Sequence, residues 1–88
     1  MTFTKNKACV AMGKMITSIQ ANIAREERLI KTSNARISLL QKQVPPNTAL
    51  IAELQGEVDA IAKQVAKDNT ELQAFQEEFD ADCGPGLH

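Results

Sequence analysis

The chain of 88 residues carries a net charge of -1 and is 43% hydrophobic, so it is long enough for one small domain with a modest core. With no Trp or Tyr, three Phe, four Gly and three Pro, it offers little material for β-strands or a large pocket. It contains no glycine-rich phosphate loop, nucleophile elbow or His-base arrangement, which argues against an enzyme and against a bound cofactor or metal.

The frequent Ala, Leu, Ile, Lys, Glu and Gln residues indicate helix. No apolar run approaches the ~20 residues of a membrane-spanning helix, and no apolar signal-peptide core stands near the N-terminus. We therefore expect an all-α protein without a membrane span. Its expected location is cytoplasmic by default, or secreted or exported if its two cysteines are oxidised.

The first predicted element is a helix over about residues 6–43, preceded by a polar arm. Its apolar residues recur with alternating spacings of three and four, which is typical of a coiled-coil seam. The a positions of this seam hold Cys9, Ile16, Ile23, Ile30, Ile37 and Val44. The d positions hold Met12, Ile19, Glu26, Ser33 and Leu40.

Residues 44–47, Val-Pro-Pro-Asn, form the predicted turn. Pro45 disfavours the helical conformation of the residue before it, and two prolines remove two backbone donors, so the first helix must end here. Pro46 has a φ suited to a first helical turn, and either Asn47 or Thr48 can accept a hydrogen bond from the new helix. We therefore expect a hairpin and not one kinked helix.

The second predicted helix covers about residues 48–82 and repeats the seam. Its a positions hold Ile51, Val58, Val65, Leu72 and Phe79. Its d positions hold Leu54, Ile61, Asp68, Phe75 and Asp82. Folding the chain at the turn pairs each a residue with a d residue whose numbers sum to 91, over eleven layers without a slip.

The charges of the two halves support this pairing. Residues 1–43 carry eight basic and two acidic side chains, whereas residues 44–88 carry two basic and nine acidic ones, giving net charges of +6 and -7. An antiparallel arrangement brings these halves together and relieves the unfavourable charges at the helix ends. The prediction is an antiparallel two-helix coiled-coil hairpin that forms one domain over residues 1–88, with a flexible tail at residues 83–88.

Glu26 and Asp68 interrupt the apolar seam in neighbouring layers. Such a polar break commonly fixes register or oligomeric state, which is the favoured interpretation. Two alternatives remain. The carboxylates are partly exposed and form salt bridges to Arg or Lys, or they form a site for acid-base chemistry or a hard metal ion.

Cys9 and Cys83 lie at opposite ends of the chain but at the same end of the expected hairpin. Their numbers sum to 92, one step from the layer sum of 91. They form either a disulfide across the open end or two free thiols, and the sequence leaves both open. A metal site that combines them with His88 is not favoured, because this is the only histidine and it is terminal.

Four large apolar residues next to or outside the seam widen the apolar stripe, and they form the candidate oligomer face: Met15, Leu29, Leu39 and Leu50. A widened stripe suits a bundle better than an isolated pair of helices. We therefore expect a homo-oligomer, most simply two hairpins in a four-helix bundle. The alternative is a monomer with ordinary exposed apolar side chains.

The turn and the start of the second helix, Pro45-Pro46-Asn47-Thr48-Ala49-Leu50-Ile51-Ala52-Glu53-Leu54-Gln55, resemble a segment of type III secretion needle subunits. Those subunits are small helical hairpins with a Pro-x-(Asn/Asp)-Pro turn followed by an Ala-Leu-Leu-Ala-x-Leu-Gln-like run. The resemblance covers eleven residues and implies a polymerising structural subunit. This chain has Thr48 where the family has its second proline, and its C-terminal half is acidic and ends in Cys83-Gly84-Pro85-Gly86.

The predicted function is a non-enzymatic protein-protein interaction or assembly module, acting as a scaffold or adaptor for a protein partner that the sequence does not identify. A polymerising needle-like subunit is the first alternative. A small nucleic-acid-binding bundle is the second, but Lys5, Lys7 and Lys14 are few, face an acidic half and have no interleaved aromatic residues. Nucleic acid is therefore the least favoured partner.

Overall fold

The computed structural model describes residues 2–83, with side chains from Lys7 onwards. It contains two helices, α1 (Thr2–Gln41) and α2 (Thr48–Asp82), which pack against each other in a hairpin. The described residues include no strand. The predicted all-α hairpin is therefore confirmed.

The helix bounds differ from the predicted ones only in α1. This helix begins at Thr2, before the expected start near residue 6, because no Gly or Pro precedes Gly13 and a helix extends readily once nucleated. It ends at Gln41 and not at 43. Beyond it, the N–H groups of Lys42 and Gln43 donate to the carbonyls of Leu39 and Leu40 at 3.2 Å, a tighter spacing that closes the last turn.

Burial follows the predicted seam. Every a and d position from Cys9 to Leu40 and from Ile51 to Phe79 is buried or half-buried, so the heptad register is confirmed over this range. The two outermost positions of the pattern do not follow it. Val44 is 96% exposed because α1 has already ended, and Asp82 is exposed while the next residue, Cys83, is buried.

Contacts divide the chain into two compact units. The end unit comprises Met1–Ile23 and Lys67–His88, and the turn unit comprises Ala24–Ala66. In the end unit, a Cβ added at Gly13 would lie 3.8 Å from Cε2 of Phe79, an ordinary packing distance. In the turn unit, Ile37, Leu54 and Val58 form the buried cluster, and these half-buried residues pack against it: Ile30, Leu40, Leu50 and Ile51.

Asn47 begins α2. Its side-chain Oδ1 accepts a hydrogen bond from the backbone N–H of Leu50 at 3.1 Å, and its carbonyl accepts one from Ile51 at 3.0 Å. Asn47, and not Thr48, is therefore the N-cap residue. Pro46 precedes the cap and so lies outside the first helical turn, and the peptide bond between Val44 and Pro45 is cis.

Candidate interaction surface

The described part of the chain exposes five large apolar side chains. They are exposed by 47% to 96% and comprise Val10, Met15, Leu29, Leu39 and Val44. Three of the four residues of the predicted oligomer face are among them. The fourth, Leu50, is half-buried and packs against the core of the turn unit, so it serves the hairpin itself and offers only part of its surface to a partner.

A second seam runs along the exposed side of α1 in the turn unit. Its residues are spaced by three, four and three along the chain, as in the core seam, but they occupy positions c and g: Leu29, Thr32, Arg36 and Leu39. We call these four residues the α1 strip. All four are exposed, with Leu29 at 50% and Leu39 at 65%. Thr32 donates its hydroxyl hydrogen to the carbonyl of Arg28 at 2.9 Å, so this donor is satisfied within α1.

A matching strip lies on α2 in the same unit. Its residues are also spaced by three, four and three and occupy positions g and c: Leu50, Glu53, Glu57 and Ala60. We call these the α2 strip. Leu50 is half-buried and the other three are exposed. In an antiparallel pair the g positions of both helices flank the core seam on the same side, so both strips border one broad face of the turn unit.

The two strips carry opposite charge. The α1 strip contains Arg36 and no acid, whereas the α2 strip contains Glu53 and Glu57 and no base. The segments around them have the same bias. Residues 24–47 hold five basic and two acidic side chains, and residues 48–66 hold one basic and three acidic ones, for net charges of +3 and -2.

Cys9 and Cys83 form a disulfide in the end unit, with their Cα atoms 5.9 Å apart. Both residues are buried, at 5% and 2% exposed. The backbone N–H of Cys83 donates to the carbonyl of Phe79 at 2.7 Å, so helical hydrogen bonding continues one residue past Asp82 and places Cys83 towards Cys9. Of the two alternatives that the sequence left open, the structure has the disulfide.

The two carboxylates of the polar break lie in different units. Glu26 in the turn unit and Asp68 in the end unit are each half-buried, and each interacts with another group of the chain. Oε1 of Glu26 is shielded from solvent. Within residues 7–83 no polar or charged residue is buried as a whole. The role of these residues in register stays a prediction.

Over the part of the chain that the structure describes, no group of three His, Cys, Asp or Glu side chains is arranged to hold a metal ion. The metal hypothesis that involved His88 lies outside these residues. Neither helix contains, within the same residues, a stretch apolar and long enough to cross a bilayer.

The chain matches no protein-family model, no curated protein and no solved structure with which it was compared. The widened apolar stripe in the sequence predicts Leu29, Leu39 and Leu50 but not the charged members of the two strips. A search for a second 3-4 repeat, shifted from the core seam to positions c and g, would have found Arg36, Glu53 and Glu57.

Proposed function

We propose that this protein is a non-enzymatic assembly module whose hairpin self-associates into a four-helix bundle. The observation that carries the proposal is the exposure of Leu29 and Leu39 on one strip of α1, at 50% and 65%. Fully burying a leucine side chain contributes roughly 1.5 to 3 kcal/mol, so covering the exposed parts of both in two chains supplies a substantial driving force for association.

The small core supports the same proposal. Only six residues are buried in the described chain, and two of them form the disulfide. A hairpin with one narrow seam covers little apolar surface, and a second layer of helices is the simplest way to cover more. In a cell, such a bundle acts as a scaffold or adaptor that presents its remaining faces to another protein.

Light scattering coupled to size exclusion tests this proposal. At micromolar concentration the oxidised protein is expected to have about twice the chain mass of 9.6 kDa. The double variant Leu29→Gln/Leu39→Gln should have the single-chain mass and retain its helical circular dichroism, because neither side chain belongs to the buried core of the hairpin. A wild-type protein that stays at the single-chain mass at every accessible concentration would contradict the proposal.

Val10→Gln is the matched control for this experiment. Val10 is a large apolar residue that is 59% exposed, yet it lies at position b of the end unit and outside both strips. It should leave the doubled mass unchanged. Filaments in electron micrographs would instead favour the polymerising needle-like alternative, which rests on the sequence of the turn and the start of α2.

A further inference from the structure

We propose that the second hairpin docks with its α2 strip on the α1 strip of the first, so that basic and acidic helices alternate around the bundle and both turns lie at the same end. The inference rests on the proposed self-association and specifies which helices meet. Its occupant is a second copy of this chain, identified by the complementary charge and spacing of the two strips.

Spacing gives the first argument. Counting backwards from Leu39 along α1, the strip residues follow at steps of three, four and three, and counting forwards from Leu50 along α2 gives the same steps. An antiparallel contact therefore aligns the full length of both strips. The resulting pairs, one residue from each copy, are Leu39 with Leu50, Arg36 with Glu53, Thr32 with Glu57, and Leu29 with Ala60.

The chemistry of these pairs gives the second argument. Leu39 meets the exposed part of Leu50, and Leu29 meets the small side chain of Ala60, which leaves room for it. Arg36 meets the carboxylate of Glu53, and the hydroxyl of Thr32 can donate its hydrogen to the Glu57 carboxylate in place of the Arg28 carbonyl. Each pair thus joins two apolar side chains, two opposite charges, or a hydroxyl and a carboxylate.

The competing arrangement is less favourable. If each α1 packed on the α1 of its neighbour, two basic segments would face each other, and the acidic α2 segments would face each other likewise. Like charges across an interface disfavour an arrangement and serve to exclude it. Because Leu39 and Leu50 both adjoin the turn, the favoured contact places the two turns together.

Two charge reversals test which helices meet. Arg36→Glu creates two facing pairs of carboxylates in a homodimer, and Glu53→Arg creates two facing pairs of cations. We expect each variant alone to dimerise about tenfold more weakly than wild type at low salt, since exposed pairs are individually modest but occur twice by symmetry. An equimolar mixture should form a heterodimer close to wild-type affinity, because its facing pairs are again of opposite charge.

Sedimentation equilibrium measures the affinities, and native mass spectrometry identifies the mixed dimer by mass. Lys31→Glu is the matched control, because it makes the same charge change on α1 at an exposed b position outside the strip, and it should dimerise like wild type. Circular dichroism of each variant verifies that the hairpin is folded.

The outcomes separate the two proposals. If wild type dimerises but Arg36→Glu dimerises equally well, or if the mixture is no tighter than the separate variants, the α1-on-α2 contact is overturned while self-association stands. If wild type does not dimerise, both fall. Weakening of each single variant together with recovery in the mixture supports the contact. If α1 packed on α1, like charges would already face each other in wild type, and a single reversal would leave that repulsion about as it was.

Discussion

Asn47 fixes the point where the chain turns into α2. Its Oδ1 accepts the N–H of Leu50 at 3.1 Å and so satisfies one of the first backbone donors of the helix. From sequence, Asn47 and Thr48 were equally able to do this, because both side chains accept hydrogen bonds. The bend after Gln41 decides between them by placing Asn47 at the last non-helical residue.

We predict that Asn47→Ala lowers the free energy of unfolding by about 1 kcal/mol, since the capping hydrogen bond is lost. Asn47→Asp should lie close to wild type because a carboxylate caps equally well and suits the positive end of the helix dipole. Urea unfolding followed by circular dichroism measures both. Equal stability of the alanine and aspartate variants would show that the cap contributes nothing.

At the scale of helices, the heptad pattern predicted the core well because period and burial are linked in any amphipathic helix. The seam could be read from Cys9 to Leu40 and from Ile51 to Phe79 without knowing the structure. The ends of the seam could not be read in this way, because the heptad pattern continues through Val44 and Asp82 but both residues are exposed in the structure. The burial of Leu50 could not be predicted either, since the side chain of a g residue near a turn can pack against the core or remain exposed.

The two glycines inside the helices give a matched test of the packing. Gly56 has no atom within 4 Å of an added Cβ, and at Gly13 the nearest such atom is Cε2 of Phe79 at 3.8 Å. Gly56→Ala should raise the free energy of unfolding by about 0.8 to 1 kcal/mol from helix propensity alone. Gly13→Ala should raise it by at least as much, because its methyl group gains a contact without a clash.

Thermal and urea unfolding of both glycine variants, with the disulfide intact, measure these changes. A destabilised Gly13→Ala would mean that Phe79 lies closer to α1 than the structure has it. A neutral Gly56→Ala would mean instead that this position is not in a regular solvent-facing helix.

At the scale of the whole molecule, the hairpin is held by a seam of apolar layers and by one covalent link. The disulfide joins residues 74 positions apart. In the chain-entropy model a loop of that length stabilises the folded state by about 4 kcal/mol, a large share of what a domain of this size has in total. The attraction between the oppositely charged halves also stabilises the hairpin, although salt weakens this attraction.

The sequence left the cysteines open between a staple and two free thiols because composition says nothing about redox state. The geometry could be anticipated, since Cys83 is one residue after Asp82, the layer partner of Cys9 in the predicted seam. What the sequence could not give is that Cys83, and not Asp82, closes the last layer. That depends on the backbone of α2 continuing its hydrogen bonding to Phe79.

Disulfide mapping tests whether α1 and α2 run antiparallel and bring Cys9 and Cys83 together. The protein is refolded in a glutathione redox buffer, alkylated without reductant, and analysed by intact mass and by peptide mapping. We predict no added label and a single cross-linked species that joins the Cys9 peptide to the Cys83 peptide of the same chain. Two labels per chain would contradict the disulfide, and a link only between Cys9 residues of two chains would contradict the hairpin.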